Sequence, residues 1–204
     1  MSTDPHVTRI GPVELVREDP RARTILGIVA FVLATTAGAH VAVPLPWTQV
    51  PMTLQPLFVI LAGALLGPLA GASSMAAYVL LGAAGAPVFS MGRAGLPWLM
   101  GVTGGYLIAY PAAAYVVGRV LHHGSRREGD RGPGRLQTLV GLSLGIAVIY
   151  IGGVSQLAIL TGGGIGSILA MGVVPFLAGD VLKVLIALVV VDLARAGRAS
   201  GGPA

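Results

Sequence analysis

Polar residues are confined to narrow windows of this chain, and long apolar runs fill the space between them. From residue 24 to residue 118 the only fully charged side chain is Arg93, and from 136 to 194 only Asp180, Lys183 and Asp192 occur. Six apolar segments can be drawn, over residues 25–43, 54–66, 69–84, 99–121, 136–160 and 173–194. A helix needs about 20 apolar residues to cross a hydrocarbon core ~30 Å thick. The pattern therefore predicts an all-α integral membrane protein with six transmembrane helices. Residues 1–23 form an N-terminal tail, 24–194 the membrane domain and 195–204 a C-terminal tail. The second and third segments are short and meet at Gly67-Pro68, a helix-ending pair that predicts a tight hairpin of tilted or shielded helices.

The first segment also resembles a signal peptide, with Ala37-Gly38-Ala39 as its small-residue site. Against that, Asp4, Glu14, Glu18 and Asp19 precede it, and its apolar run is longer than the ~7–15 residues of a signal core. It is read as a retained helix.

Composition agrees with the pattern. Of 204 residues, 54% are hydrophobic and 10% charged, and the mean hydropathy is +0.83, which a soluble domain of this size does not need. There is no cysteine, so disulfides and thiolate metal sites are excluded. His6, His40, His122 and His123 lack a metal-binding spacing, and no metal or cofactor is expected.

The pI near 10.2 would suit nucleic acid, but the basic residues flank the apolar segments, where membrane topology explains them better. Arg9, Arg17, Arg21 and Arg23 precede the first segment; Arg119, Arg126, Arg127, Arg131 and Arg135 follow the fourth; Arg195 and Arg198 follow the last. With six spans all of these fall on one side. The positive-inside rule makes that side, with both termini, cytoplasmic. Segments 43–53, 85–97 and 161–172 then lie outside with Arg93.

Asp180 and Lys183 interrupt the last segment three residues apart, on one face of a helix. Each costs about 2.5–3.5 kcal/mol near the centre of a span. One reading is an ion pair that locks helix packing; the other is a pocket beneath the outer segments, because intramembrane ionisable groups mark substrate or proton pathways. Counted from residue 173 at 1.5 Å per residue, Asp180 lies about 10 Å and Lys183 about 15 Å below the start of the segment.

The preceding loop PLPWTQVPMTLQP, residues 44–56, is stiffened by prolines and carries Thr48, Gln49, Thr53 and Gln55, as a lid over a polar-headed ligand would. In residues 85–107, Phe89, Trp98 and Tyr106 offer ring surface, and Arg93 can attract or bind an anion; Trp98 and Tyr106 would equally serve an interfacial aromatic belt. Small residues four apart at Gly63/Gly67, Gly101/Gly105 and Gly141/Gly145 predict internal helix contacts. Ala30/Ala34 has the same spacing and can also present a groove to another protein. There is no phosphate-binding G-x-x-x-x-G-K-[ST] motif, so energy for uphill transport would come from a partner or an ion.

The runs VPMTLQPLFVILAGALLGPLAG, GAAGAPVF, TGGYL and GVVPFLAGDVLKV, in this order over residues 43–187, closely resemble BioY, the biotin-binding S component of energy-coupling factor (ECF) transporters. The resemblance implies a six-helix S component in a prokaryotic cell membrane. It would bind biotin from outside and dock on a transmembrane T component and two ABC-type ATPases. Lys183 suits the biotin carboxylate and Asp180 the ureido N–H donors, unless Arg93 exchanges the two roles. Residues 44–55 become the lid, Tyr150 joins the binding set with Phe89 and Tyr106, and Ala30/Ala34 become the T-component contact. The chain departs from the family at Ser155-Gln156, where a proline and a tryptophan are expected, and at Gly101-Val102, where Gly-Pro is expected. Two other functions remain open: an S component for another vitamin or anion, and a membrane enzyme or proton relay using Asp180 with Asp192.

Overall fold

A computed structural model describes residues 19–123 and 133–200, with side chains to 197. Arg9, Arg17, Arg126, Arg127, Arg131 and the side chain of Arg198 lie outside the described residues.

Asp19 opens helix α1 (Pro20–His40): its carboxylate accepts the Arg21 N–H at 2.8 Å, and Pro20 occupies a position where the missing N–H costs nothing. Residues 44–51 then form the bend of a small antiparallel hairpin, β1 (Ala42–Val43) against β2 (Met52–Thr53), with Ala42 opposite Thr53. Helices α2 (Gln55–Leu66) and α3 (Pro68–Ala83) follow, hinged at Gly67, whose φ of 85° lies in the region that favours glycine. A 3₁₀ turn (Ser90–Gly92) and the one-turn helix α4 (Leu96–Leu99) lead to α5 (Gly104–His122) and α6 (Arg135–Thr161). The described residues end with α7 (Ile165–Gly172), a 3₁₀ turn (Val174–Phe176) and α8 (Leu177–Ser200).

Each of the six apolar segments carries one main helix, and the hairpin at Gly67-Pro68 forms as expected. Among the described residues, three stretches are long and apolar enough to cross a membrane: Pro20–His40, Arg135–Thr161 and Ile165–Gly197. The 12 residues of α2 and 16 of α3 extend only about 18 and 24 Å, short of the ~30 Å core.

Three segments differ from the expectation. Residues 161–172, read as an outer loop, contain α7. The final helix begins at Leu177: Val173, at φ −130°, interrupts the run, and Pro175 has no N–H to bond back across the break. Asp180 therefore lies in the first turn of α8, about 4.5 Å from its start at 1.5 Å per residue rather than about 10 Å from it. The fourth segment begins too early as well, since residues 100–103 are a turn and α5 starts at Gly104.

Helix α5 is the hub, packed against α2, α3 and α6. Its approach to α6 depends on Gly105 and Gly152: a methyl group at Gly105 would collide with the Gly152 carbonyl. Gly63, Gly141 and Gly145 likewise meet neighbouring helices, as their spacing predicts. The interior is apolar, with Ile60, Met75, Tyr78 and Leu142 fully buried, yet so is the periphery. Ile159 is 81% exposed and Leu69 and Leu136 are each 74% exposed, a surface suited to lipid rather than water.

Candidate functional site

The start of α8 and the neighbouring α6 bring three polar groups together. Lys183 and Asp180 stand one turn apart, and the Lys183 ammonium donates to Asp180 Oδ1 at 2.6 Å. Both are buried, 5% and 6% exposed. Tyr150, from α6, donates its hydroxyl to Asp180 Oδ2. The carboxylate also faces the positive end of the α8 dipole. Such a pair is poor evidence for stability, because the cost of desolvating two charges can exceed their attraction.

A narrow, partly open cavity adjoins this cluster. Val50, Pro51 and Thr53 form one wall from the hairpin, while Trp98, Tyr106 and Leu107 contribute ring and aliphatic surface from α4 and α5. Gln55, Ser90, Thr103, Tyr150, Asp180 and Lys183 supply polar atoms among otherwise apolar surface, the mixture that orients a small ligand.

Most of these polar atoms are held by neighbours. The Thr53 hydroxyl donates to Gln55 Oε1 at 3.0 Å, Gln55 Nε2 donates to the Tyr78 hydroxyl at 2.6 Å, and that hydroxyl donates to the Val88 carbonyl at 2.8 Å. This chain ties the hairpin, α2 and α3 together. On the opposite side, the Tyr106 and Thr48 hydroxyls donate to consecutive carbonyls at the end of α7, Gly172 and Met171, each at 2.8 Å.

Asp180, Lys183, Thr53, Gln55, Tyr106 and Tyr150 line one cavity. Four other residues singled out in the sequence lie off its wall. Thr48 fastens the hairpin bend to α7, and Gln49 beside it is exposed. Arg93 is exposed and stacks 4.5 Å over the ring of Trp98, which does line the cavity. Phe89 is fully buried against Gly82 and packs edge-on to Tyr78 with ring centroids 5.7 Å apart, so its ring serves the core. Away from the cavity on α1, Ala30 is exposed and Ala34 half-buried. Asp192 pairs with Arg135 at 2.8 Å, about 18 Å along α8 from Asp180 at 1.5 Å per residue.

Sequence reading missed Ser90, Thr103 and Tyr110 as cavity residues, and Tyr78 behind them. Tyr110 was within reach, since it follows Tyr106 by one helical turn. Ser90 and Thr103 lie in irregular backbone, where no periodicity points a side chain inward. Gln156, at the family departure in α6, also has a definite role: its amide donates to the Leu99 and Gly101 carbonyls at 2.8 and 2.7 Å. It clamps the turn that carries Trp98.

Among known proteins, the model of the BioY family matches residues 10–199 of this chain. The probable biotin transporter BioY of Pyrococcus horikoshii is 37% identical over 172 residues, which cover 84% of this chain and 96% of the relative. The biotin transporter BioY of Thermotoga maritima is 33% identical over 165 residues, covering 81% and 91%. Among solved structures, the S-component for biotin from an ECF-type ABC transporter superposes with a TM-score of 0.78 over 88% of this chain and 94% of that one, at 23% identity. That last similarity is one of fold.

Proposed function

Because the chain belongs to the BioY family, we propose that it is the substrate-binding membrane subunit of a biotin uptake system, taking biotin from the outer side and delivering it through an ECF energising module. The observation that carries this reading is the buried Asp180–Lys183 pair on the wall of a small, mixed polar and apolar cavity. Six spans with cytoplasmic termini put the cavity mouth outside, in keeping with the described residues Arg21, Arg23, Arg119, Arg135 and Arg195, all at the other end of the long helices. The cell membrane as location, and a T component with two ABC-type ATPases as partners, belong to the same proposal.

The 2.6 Å ion pair supports a different division of labour from the one drawn from sequence. Biotin carries its carboxylate and its ureido ring at opposite ends, so two groups in contact serve one end. The ureido ring offers both a carbonyl acceptor and N–H donors. Lys183 keeps two N–H donors beyond Asp180, and each Asp180 oxygen keeps a lone pair beyond its present partner. The pair therefore suits the ureido ring, which leaves the carboxylate to the Arg93–Trp98 side. A relay through Asp192 has weaker support, given its distance and its pairing with Arg135.

A ligand that binds only the folded state stabilises it, by about 2.7 kcal/mol at a hundred times its Kd. Biotin should accordingly raise the melting temperature of the purified chain, and vitamins without a ureido ring should not. Protection by an unrelated vitamin, with none from biotin, would move the assignment to another substrate.

Of the lid read over residues 44–55, the bend at 44–51 is the main part outside strand and helix. The Thr48–Met171 hydrogen bond is a side-chain tie from this bend to α7, and the exposed Gln49 reports on it. In this cysteine-free chain, a cysteine introduced at Gln49 should react more slowly with a polar thiol reagent when biotin saturates the cavity. Identical rates with and without biotin count against a lid.

A further inference from the structure

Among the described residues, Ser90 Oγ is the buried side-chain polar atom without a hydrogen-bond partner. Ser90 is 6% exposed and lines the cavity. A buried hydroxyl left unpaired is costly, and native proteins seldom keep one without a use.

Its surroundings limit what that use can be. Ser90 belongs to a tight turn closed by the Phe89 N–H to the Arg93 carbonyl at 3.0 Å and the Arg93 N–H to the Ser90 carbonyl at 3.3 Å. Phe89 anchors the turn in the core, and Met91, with φ 60°, holds the left-handed angle that closes it. The hydroxyl therefore sits on a rigid support. Arg93 leaves the same turn and lies over Trp98, another wall of the cavity; among the described residues it is the cation at this end of the fold besides the paired Lys183. A hydroxyl, a guanidinium and an indole thus share one edge, opposite in charge to a carboxylate.

Resting on the biotin reading above, we propose that Ser90 is a specificity-determining residue: its hydroxyl donates a hydrogen bond to the ligand's carboxylate, with Arg93 supplying the attracting charge. The ureido ring occupies the Asp180–Lys183 end. The carboxylate is then the remaining strong acceptor on biotin, and Ser90 Oγ a fully buried donor without a partner.

The test is equilibrium binding of biotin and of its neutral primary amide to the purified full chain and to Ser90→Ala. The acid should lose about 10- to 100-fold in affinity and the amide about 2- to 10-fold, the ranges for hydrogen bonds to charged and neutral acceptors, so the preference for acid over amide falls. The ligand-free melting temperature should hold or rise, because the alanine variant buries no unpaired hydroxyl. Equal losses for acid and amide, or no loss for the acid, overturn the role of Ser90 and leave the biotin reading standing. If the wild-type chain binds neither compound, it is the biotin reading that fails.

Discussion

Lys183→Met should cost the chain both stability and ligand. It leaves Asp180 buried with Tyr150 as its remaining partner, and breaking a buried pair from one side typically costs about 3–5 kcal/mol. Biotin should bind about 10- to 100-fold more weakly, the loss expected for a hydrogen bond from a charged donor. Acid and amide forms of biotin should suffer alike, because Lys183 meets the ureido carbonyl in this account; a loss confined to the acid would return Lys183 to the carboxylate. Denaturation and binding measured together on Asp180→Leu/Lys183→Met separate the two roles. Apolar residues of similar size remove both desolvation costs, so stability should recover towards that of the wild type while binding stays lost. A double variant that binds biotin normally would reduce the pair to a packing device.

Ala30→Trp should abolish uptake and leave biotin binding by the isolated chain unchanged. Ala30 is exposed on α1, on a face it shares with Leu26 (59% exposed) and Leu33 (63% exposed), and no part of this face borders the cavity. Close helix approach depends on small side chains, so an indole there blocks a docking T component by bulk alone. Ala34 is half-buried, and tryptophan at that position also meets the interior, which makes Ala30 the cleaner site. Uptake that continues at the wild-type rate in Ala30→Trp, with the variant present in the membrane, would remove this face from the interface.

The long helices were legible because each one buries or exposes apolar surface over many turns, and a window average sees that. Residues 161–172 were not. Helix α7 is short and glycine-flanked, and the break that follows it, at Val173 with Pro175 just beyond, moved the start of α8 to within one turn of Asp180. The charged half of the site could be read because Asp180 and Lys183 are anomalous in apolar sequence. Their spacing of three residues put them on one helical face, and the structure adds that they touch, at 2.6 Å. Ser90 carried no comparable signal: a serine in a loop is ordinary, and its distinction is an absent partner, which only packing reveals. Gln156 shows the converse. As a departure from the family pattern it suggested a lost aromatic wall, and the structure gives it two backbone carbonyls to hold, close to an aromatic wall supplied by α4.

The central claim is that this chain alone holds biotin, and equilibrium binding of labelled biotin to the detergent-purified chain, without T component or ATPases, tests it most directly. The account predicts saturable binding at micromolar biotin or below, displaced by unlabelled biotin and weakened in Lys183→Met. Absence of saturable binding at micromolar biotin, with the chain shown to be folded, would contradict it.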